Sequence, residues 1–376
     1  MVGLKSLNSR TDLHISKSDK CGDFVVTQRE VTLYHIYSNP DVYKYLPPKR
    51  KENGSLVNIR HPTETSFRNQ IKTTCEELQT KANNLWWELA RNHDFSSKFT
   101  NVFLTHHSTL PTLYTLVKIP IDVYPSTLVI QNIKARPIVS CCGSPTEKMA
   151  WLISHCIKPL LKHVPCHMFN IHEHLEILRS LPPEELADMS FYSADISALY
   201  TNIDIDYCID AVISMAEEYW DELSTFGITL VELHKLLDLV FKNSFFTFDQ
   251  KLYWQGEGLF MGCCPSPGGA VIAVYRMKKN SIYVDTFYIS SPVSLYYKRY
   301  MDDNSSLARD RDYAQQICKM IGDQDPNGRI LSYHFYVSRT PLKTEVKIGT
   351  GGVLVSRYYR KPQNKGIILH APPTLY

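Results

Sequence analysis

Two consecutive aspartates, Asp302 and Asp303, lie between the apolar and aromatic run SLYYKRYM and a second run, NSSLA. Two short runs joined in this way predict a β-hairpin with the carboxylates at its turn. Adjacent aspartates repel each other and gain nothing from packing, so a bound metal ion would stabilise them. Taken alone, this segment could equally be a turn with two solvated aspartates.

A third aspartate, Asp195, follows an apolar run in SADISALYTNI, where a surface acid is not expected. Carboxylates from two separate strands can hold two Mg²⁺ ions, with Mn²⁺ as a substitute, in an arrangement that serves phosphoryl transfer. One ion would lower the pKa of a primer 3′ hydroxyl, and the other would neutralise the departing pyrophosphate. The three aspartates therefore predict a two-metal site.

Helices and short strands alternate irregularly around these aspartates, which predicts an α+β fold. Thr229 and Glu232 form a capping box ahead of an amphipathic helix. Other helices are expected at residues 66–90, within 145–178 and from 267 to about 282. The proline pair 182–183 is expected to close the helical region that begins at residue 145. Strands are expected at residues 123–139, 190–200 and 245–254, and in a hairpin pair from residue 330, broken by the turn at 349–352.

Composition bounds the class of protein without fixing its function. The chain has 376 residues, of which 44% are hydrophobic, enough for one large domain or two to three subdomains. Its net charge of +3 is compatible with nucleic-acid binding but does not require it. No signal peptide or membrane span is recognisable, and ten cysteines occur without a CxxC motif, so we expect a soluble, intracellular protein with reduced thiols and no membrane partner.

Two further clusters have simple explanations. Residues 163–174 contain two kinds of metal ligand, but their spacing fits no common zinc finger, so we do not favour zinc; the ligands are His163, Cys166, His167, His172 and His174. The basic run at residues 49–51 follows two prolines and could be a nuclear import signal, although a solvated loop over residues 46–55 is favoured.

The motif YMDD, at residues 300–303, matches the catalytic signature of reverse transcriptases, and the surrounding motifs resemble those of Penelope-like retroelements. The similar segments occur in the family's order and span most of the chain; they are KSDKCGDFVV, LYTLVKIP, KARPIVS, DISALYTNI, FFTFDQKLYWQGEGLFMGCCPSP and RYYRKP. The segment FFTFDQKLYWQGEGLFMGCCPSP departs from the family pattern at Cys263, Cys264 and Pro265. Gly268 and Gly269 weaken the helix that follows.

The resemblance implies a role for individual residues. Asp195, Asp302 and the carbonyl of Ile196 would hold the metal ions, and Asp303 would support them. Tyr200 would exclude a 2′ hydroxyl, although a core tyrosine is the alternative. Nucleotide binding is assigned to Lys118, Arg136, Met261 and Gly262, although Lys118 and Arg136 could instead be surface cations. Template or primer contact is assigned to Ser266, Pro267, Tyr300 and Arg360. Lys343 would be a general acid, with Lys347 competing, but an ordinary surface lysine is favoured over both.

The resemblance also implies a right-hand polymerase fold with fingers and palm, an antiparallel palm sheet packed on helices, and a truncated or absent thumb. Residues 1–55 would form an N-terminal extension, 56–185 the fingers, 186–348 the palm and 349–376 the start of the primer-grip or thumb region. The implied activity is RNA-directed DNA synthesis by a retroelement protein. Its partners would be an RNA template, a DNA or RNA primer and dNTPs, and its location nuclear.

Two other functions remain open from the sequence. A catalytically silent or adopted remnant would bind nucleic acid through charge alone, and a small-molecule enzyme would use the aspartates as an unrelated metal site. Primer extension with and without magnesium distinguishes a silent remnant from a polymerase. Whether metal binding depends on nucleotide distinguishes a small-molecule enzyme from a polymerase. The oligomeric state is not predicted.

Overall fold

The computed structural model describes residues 13–17, 24–28, 36, 38–52, 55–117, 135–196, 198–279, 294–309, 311–312, 333–337 and 344–358. Backbone contacts divide the chain into two compact units. The smaller unit contains Met1–Asn39, Tyr114–Ile138 and Tyr358–Tyr376, and the larger contains Pro40–Leu113 and Val139–Arg357.

The described helices, in chain order, are α1 Glu64–Asn92, α2 Ser97–Phe103, α3 Glu147–Ile157, α4 Ile171–Ser180, α5 Pro183–Leu186, α6 Leu199–Asn202, α7 Ile205–Glu218, α8 Leu230–Lys242 and α9 Ser266–Lys279. Short 3₁₀ helices cover Lys158–His163, Trp220–Glu222 and Thr350–Gly352. None of the described helices is long and apolar enough to cross a membrane.

The described strands are β1 Leu13–Lys17, β2 Phe24–Gln28, β3 Tyr43–Leu46, β4 Lys49–Glu52, β5 Ser55–Asn58, β6 Thr112–Val117, β7 Ala135–Ser140, β8 Ser190–Ile196, β9 Phe245–Phe248, β10 Lys251–Gln255, β11 Ser294–Tyr300, β12 Asp303–Ala308, β13 Tyr333–Val337, β14 Thr344–Ile348 and β15 Leu354–Tyr358. They form a five-stranded sheet in the order β3-β10-β9-β6-β7 and a four-stranded sheet in the order β11-β12-β8-β13. Three two-stranded sheets, β1-β2, β4-β5 and β14-β15, complete them.

The four-stranded sheet is antiparallel throughout and is packed on helices. On one face, Arg299 of β11 reaches helix α9. On the other, Phe191 and Leu307 join a buried apolar cluster with Leu178 of α4 and Val346 of β14. The structure therefore confirms the predicted α+β fold with an antiparallel sheet on helices.

Helix α8 shows how the sequence determines the helical layer. Glu232 accepts a hydrogen bond from the Thr229 amide at 2.8 Å, and the Thr229 hydroxyl accepts one from the Glu232 amide at 3.3 Å. This is the predicted capping box, and it satisfies donors that a helix start leaves unpaired. The apolar side of α8 is buried against α3 and α7.

Helix α9 begins at Ser266, one residue before the predicted start, and packs closely on α7. A Cβ atom on Gly269 would lie 3.0 Å from the Cys208 sulfur of α7. The glycine pair that weakens helix propensity thus permits the close approach of two helices.

Several predicted boundaries differ from the structure. The basic segment predicted as a loop contains β4, which pairs with β5 in an exposed hairpin, so the loop prediction was wrong for Lys49–Glu52. The proline pair does not close the helical region, because Pro183 starts the short helix α5. Strand β7 covers the end of the predicted strand region, whose residues 123–134 lie outside the described residues. The predicted domain limits stay predictions.

Candidate active site

The predicted hairpin around the consecutive aspartates is confirmed. Tyr300 at the end of β11 pairs with Asp303 at the start of β12, which leaves Met301 and Asp302 as a two-residue turn. Met301 has φ +54°, a left-handed conformation that is unusual for a methionine. Only Asp302 is therefore in the turn, while Asp303 belongs to the strand.

Strand β8 brings the third aspartate to the same end of the sheet. Asp195 lies directly opposite Asp303 in the antiparallel register, and residues paired in this way extend their side chains from the same face. The amide of Ile196 donates a hydrogen bond to the Asp302 carbonyl at 2.9 Å. Asp195, Asp302 and Asp303 are thus brought together by adjacent strands.

This arrangement of carboxylates favours a cation. Like charges directly opposite each other in a sheet are destabilising by roughly 0.2–1 kcal/mol. Carboxylate and carbonyl oxygens are the ligands that Mg²⁺ and Mn²⁺ prefer, so the donor set fits these ions. Among the described residues, no three His, Cys, Asp or Glu side chains are placed to hold a metal ion. Further ligands would have to be main-chain oxygens, water or substrate phosphates.

Two buried polar residues that the sequence analysis missed support the hairpin from its other face. Asn304 accepts a hydrogen bond from the Tyr297 hydroxyl at 2.5 Å and donates one to the Asp302 carbonyl at 3.4 Å. Arg299 is 1% exposed and donates to the Val271 carbonyl of α9 at 2.9 Å. Strand alternation was the available signal, because it places both residues on the face opposite to that of Asp303.

Tyr200 is half-buried beside the hairpin, not enclosed in the core. Its hydroxyl donates to the Met301 sulfur at 3.9 Å. Its carbonyl accepts a hydrogen bond from the Leu259 amide at 2.7 Å. Tyr200 therefore contacts the aspartate hairpin on one side and the segment between β10 and α9 on the other.

The segment between β10 and α9 contains Gly258, Met261 and Gly262. Gly258 has φ +73°, and a Cβ atom there would lie 2.5 Å from the Tyr200 carbonyl oxygen. The Met261 carbonyl accepts a hydrogen bond from the Val139 amide at 2.8 Å. Gly262 has φ +126°. This segment joins the Tyr200 turn to the end of β7.

The other predicted site residues are placed as follows. Ser266 is fully buried at the start of α9, so a role at the template would have to be indirect. Arg136 lies on β7 in the smaller unit, and its assignment to the triphosphate stays a prediction. Lys118, Lys343 and Arg360 lie outside the described residues.

The histidines of residues 163–174 have separate environments. His163 contacts Glu222 at 3.0 Å, and His172 contacts Glu176 at 3.1 Å. Burial, together with the charges of Arg299 and Lys298, lowers the pKa of His167 to about 4. His167 is therefore neutral at physiological pH.

Solved structures with a similar fold include telomerases. Telomerase from Candida albicans in complex with the TWJ fragment of telomeric RNA matches 96% of this chain and 57% of its own, with 8% identity and a TM-score of 0.56. Apo telomerase from Candida tropicalis truncated from its C-terminal domain matches 93% of this chain and 64% of its own, with 10% identity and a TM-score of 0.50. The fold is a right-hand polymerase fold.

The chain spans about 48–64% of the length of the telomerase chains that it matches. No protein-family model and no curated protein sequence matches it. In a right-hand polymerase fold, the four-stranded sheet with Asp195, Asp302 and Asp303 is the palm.

Proposed function

We propose that this chain is an RNA-directed DNA polymerase that extends a primer on an RNA template with dNTPs. The observation that carries the proposal is the register that sets Asp195 opposite Asp303 and bonds Ile196 to Asp302. A right-hand polymerase fold with carboxylates at one end of its palm sheet supports nucleotidyl transfer.

Each residue near the hairpin has a proposed part in this reaction. Asp195 and Asp302 would hold Mg²⁺ or Mn²⁺, with Asp303 beside them. When bound, two such ions lower the pKa of the primer 3′ hydroxyl and neutralise charge on the pyrophosphate. Tyr200 would fill the space that a 2′ hydroxyl needs. Gly262, without a side chain, would let the backbone approach the nucleotide.

RNA as template and DNA as product are the finer parts of the proposal. They are supported by the YMDD motif and by the resemblance of the surrounding motifs to Penelope-like retroelements. The similar telomerase from Candida albicans was solved with an RNA fragment, which supports RNA as a partner. These features favour reverse transcription over RNA synthesis.

The test is primer extension on an RNA template with Mg²⁺, comparing the wild-type chain with Asp302→Asn. We expect the variant to lose at least a hundredfold in rate while binding primer–template within a few-fold, because the carboxylate serves metal-assisted chemistry and not backbone contacts. The matched control is Asp249→Asn, which changes an aspartate at the turn between β9 and β10 and should leave the rate unchanged.

Two results would overturn the proposal. If Asp302→Asn stayed within tenfold of wild type, the aspartate would not be a metal ligand. If the wild-type chain bound primer–template but added no nucleotide with either ion, the chain would be a catalytically silent nucleic-acid-binding protein.

A further inference from the structure

Three rings form a continuous surface on the helical part of the larger unit. Trp151 of α3 is 50% exposed, and Phe226, which precedes α8, is 39% exposed. The ring of His155 lies between them, stacked on Trp151 with centroids 5.3 Å apart and 5.4 Å from Phe226. Singly exposed apolar residues are ordinary on protein surfaces, but three contiguous rings are not. We call Trp151, His155 and Phe226 the aromatic platform.

Rings beneath the aromatic platform, one half-buried and the others buried, hold it in place. Phe103 lies 6.1 Å from Trp151, and Phe99 lies 6.2 Å from Phe226. Both also pack on Trp86, which is fully buried. The exposed rings are therefore held in place before anything binds, which reduces the entropy cost of binding.

Phe226 also has an unusual backbone. Its φ is +54°, and that of the following Gly227 is +90°. A bulky residue with positive φ costs roughly 1–3 kcal/mol and persists only where the surroundings impose it. The ring of Phe226 is 39% exposed in this conformation.

Positive charge flanks the aromatic platform. Trp151, His155 and Lys158 follow at intervals of four and three residues, and Lys158 retains helical backbone angles after α3, so the three share one helix face. Lys158 is exposed, and so is Lys98, the neighbour of Phe99 on α2. Glu222, which precedes Phe226 in the chain, is engaged by Lys162 and His163.

We propose that the aromatic platform binds a single strand of nucleic acid outside the aspartate site. Bases would stack on Trp151 and Phe226, and Lys98 and Lys158 would contact the phosphates. Rings interleaved with cations suit unpaired bases on an anionic backbone better than an apolar peptide, for which His155 and the lysines would be poor neighbours. A duplex hides the faces of its bases and would not stack there.

The experiment is a fluorescence anisotropy titration of the full chain with a short labelled oligouridylate, without nucleotides. Trp151→Ala and Phe226→Ala should each weaken binding about tenfold to a hundredfold, and Trp151→Phe should retain most of the affinity. Lys158→Glu should weaken binding and reduce its salt dependence. The matched control is Trp87→Ala, which removes a tryptophan of similar exposure, 46%, from α1 outside the platform.

Three outcomes would overturn this proposal: wild-type affinity in Trp151→Ala, an equal loss in Trp87→Ala, or duplex RNA competing as well as the single strand. An unchanged melting temperature in Trp151→Ala, and the rescue by Trp151→Phe, separate a binding loss from a folding defect. Because binding is measured without nucleotides, and Asp302→Asn should bind the oligonucleotide like wild type, the result does not depend on polymerase activity.

Discussion

The aspartate end of the palm sheet and the helical layer of the same unit obey local rules to different degrees. At the sheet end, Met301 and Ala198 have positive φ, and Asp195 faces Asp303. In the helical layer, α1 and α8 each begin with a complete capping box, at Thr63 and Thr229, and the positive φ of Phe226 lies outside the helices. Helix α8 also carries its apolar residues on one buried side.

The difference separates what stabilises the protein from what would serve the proposed chemistry. A sequence that satisfies caps and packing in one region can tolerate strain of roughly 1–3 kcal/mol per residue in another. Strained backbone and opposed charges are expected at functional sites for this reason. Substitutions that are equivalent in backbone geometry should therefore differ in effect according to the region in which they lie.

The largest expected effect is that of Gly258→Ala. Its Cβ atom would lie 2.5 Å from both the Tyr200 carbonyl oxygen and the Thr201 Cα atom, so backbone must move next to the aspartate hairpin. We expect a loss of about 3 kcal/mol or more of unfolding free energy, together with most of the primer extension activity. Denaturant unfolding and single-turnover extension measure the two.

Gly351→Ala is the control for Gly258→Ala. Gly351 has the same φ of +73°, but nothing lies within 4 Å of its Cβ position. The cost there should be only the backbone term, about 1–2 kcal/mol. Equal losses in the two variants would mean that the contact with Tyr200 and Thr201 does not matter.

The next effect concerns Tyr200, which links the strained hairpin to the segment between β10 and α9. Tyr200→Val should raise the relative efficiency of ribonucleotides by about tenfold to a hundredfold, because steric exclusion of this kind is typically worth roughly 1–3 kcal/mol. The measurement is the ratio of kcat/KM for dNTP and rNTP. Tyr200→Phe keeps the ring and should leave the ratio unchanged. An unchanged ratio in Tyr200→Val with a lower melting temperature would make Tyr200 a packing residue.

In the helical layer the corresponding test is Glu232→Gln. Burial by itself would raise the pKa of Glu232, but hydrogen bonds from Thr229, His93 and Asn92 outweigh it and lower the pKa to about 2. The folded-state pKa is thus below the unfolded value of about 4.3. The stabilising contribution is complete above that value and is lost as the pH falls towards 2.

We therefore expect Glu232→Gln to lose about 1–2 kcal/mol at pH 7 and to show a weaker decline in stability between about pH 4.5 and 2. Primer extension per folded molecule should not change. Glu217→Gln, at an exposed position of α7, is the control and should match wild type. If the stability of wild type and Glu232→Gln declined equally with falling pH, the acid dependence would not come from the lowered pKa of Glu232.

The contrast between local and long-range interactions explains which features could be predicted from the sequence. Helix α8 and the aspartate hairpin were predictable because each is determined by local signals, a capping box in one and a repeated strand pattern in the other. The opposition of Asp195 and Asp303 was not readable from spacing, because register depends on pairing between strands 108 residues apart in the chain. The contact of Arg299 was missed because it depends on which helix packs behind the sheet. The contacts of Asn304 with Tyr297 and Asp302 were missed because they depend on the register of the hairpin.

The smallest expected effect compares two turns with similar backbone. Met301 at the aspartate hairpin has φ +54°, and Gln250 between β9 and β10 has φ +60°. Replacement by glycine relieves the left-handed strain but makes the unfolded chain more flexible, so each variant should gain only about 0.5 kcal/mol. Primer extension should fall only in Met301→Gly, because that substitution also removes the sulfur 3.9 Å from the Tyr200 hydroxyl. Chemical denaturation measures the stability of both variants, and primer extension assays measure their activity. If Gln250→Gly reduced extension as much as Met301→Gly, the strain at Met301 would have no particular connection with the chemistry of the site.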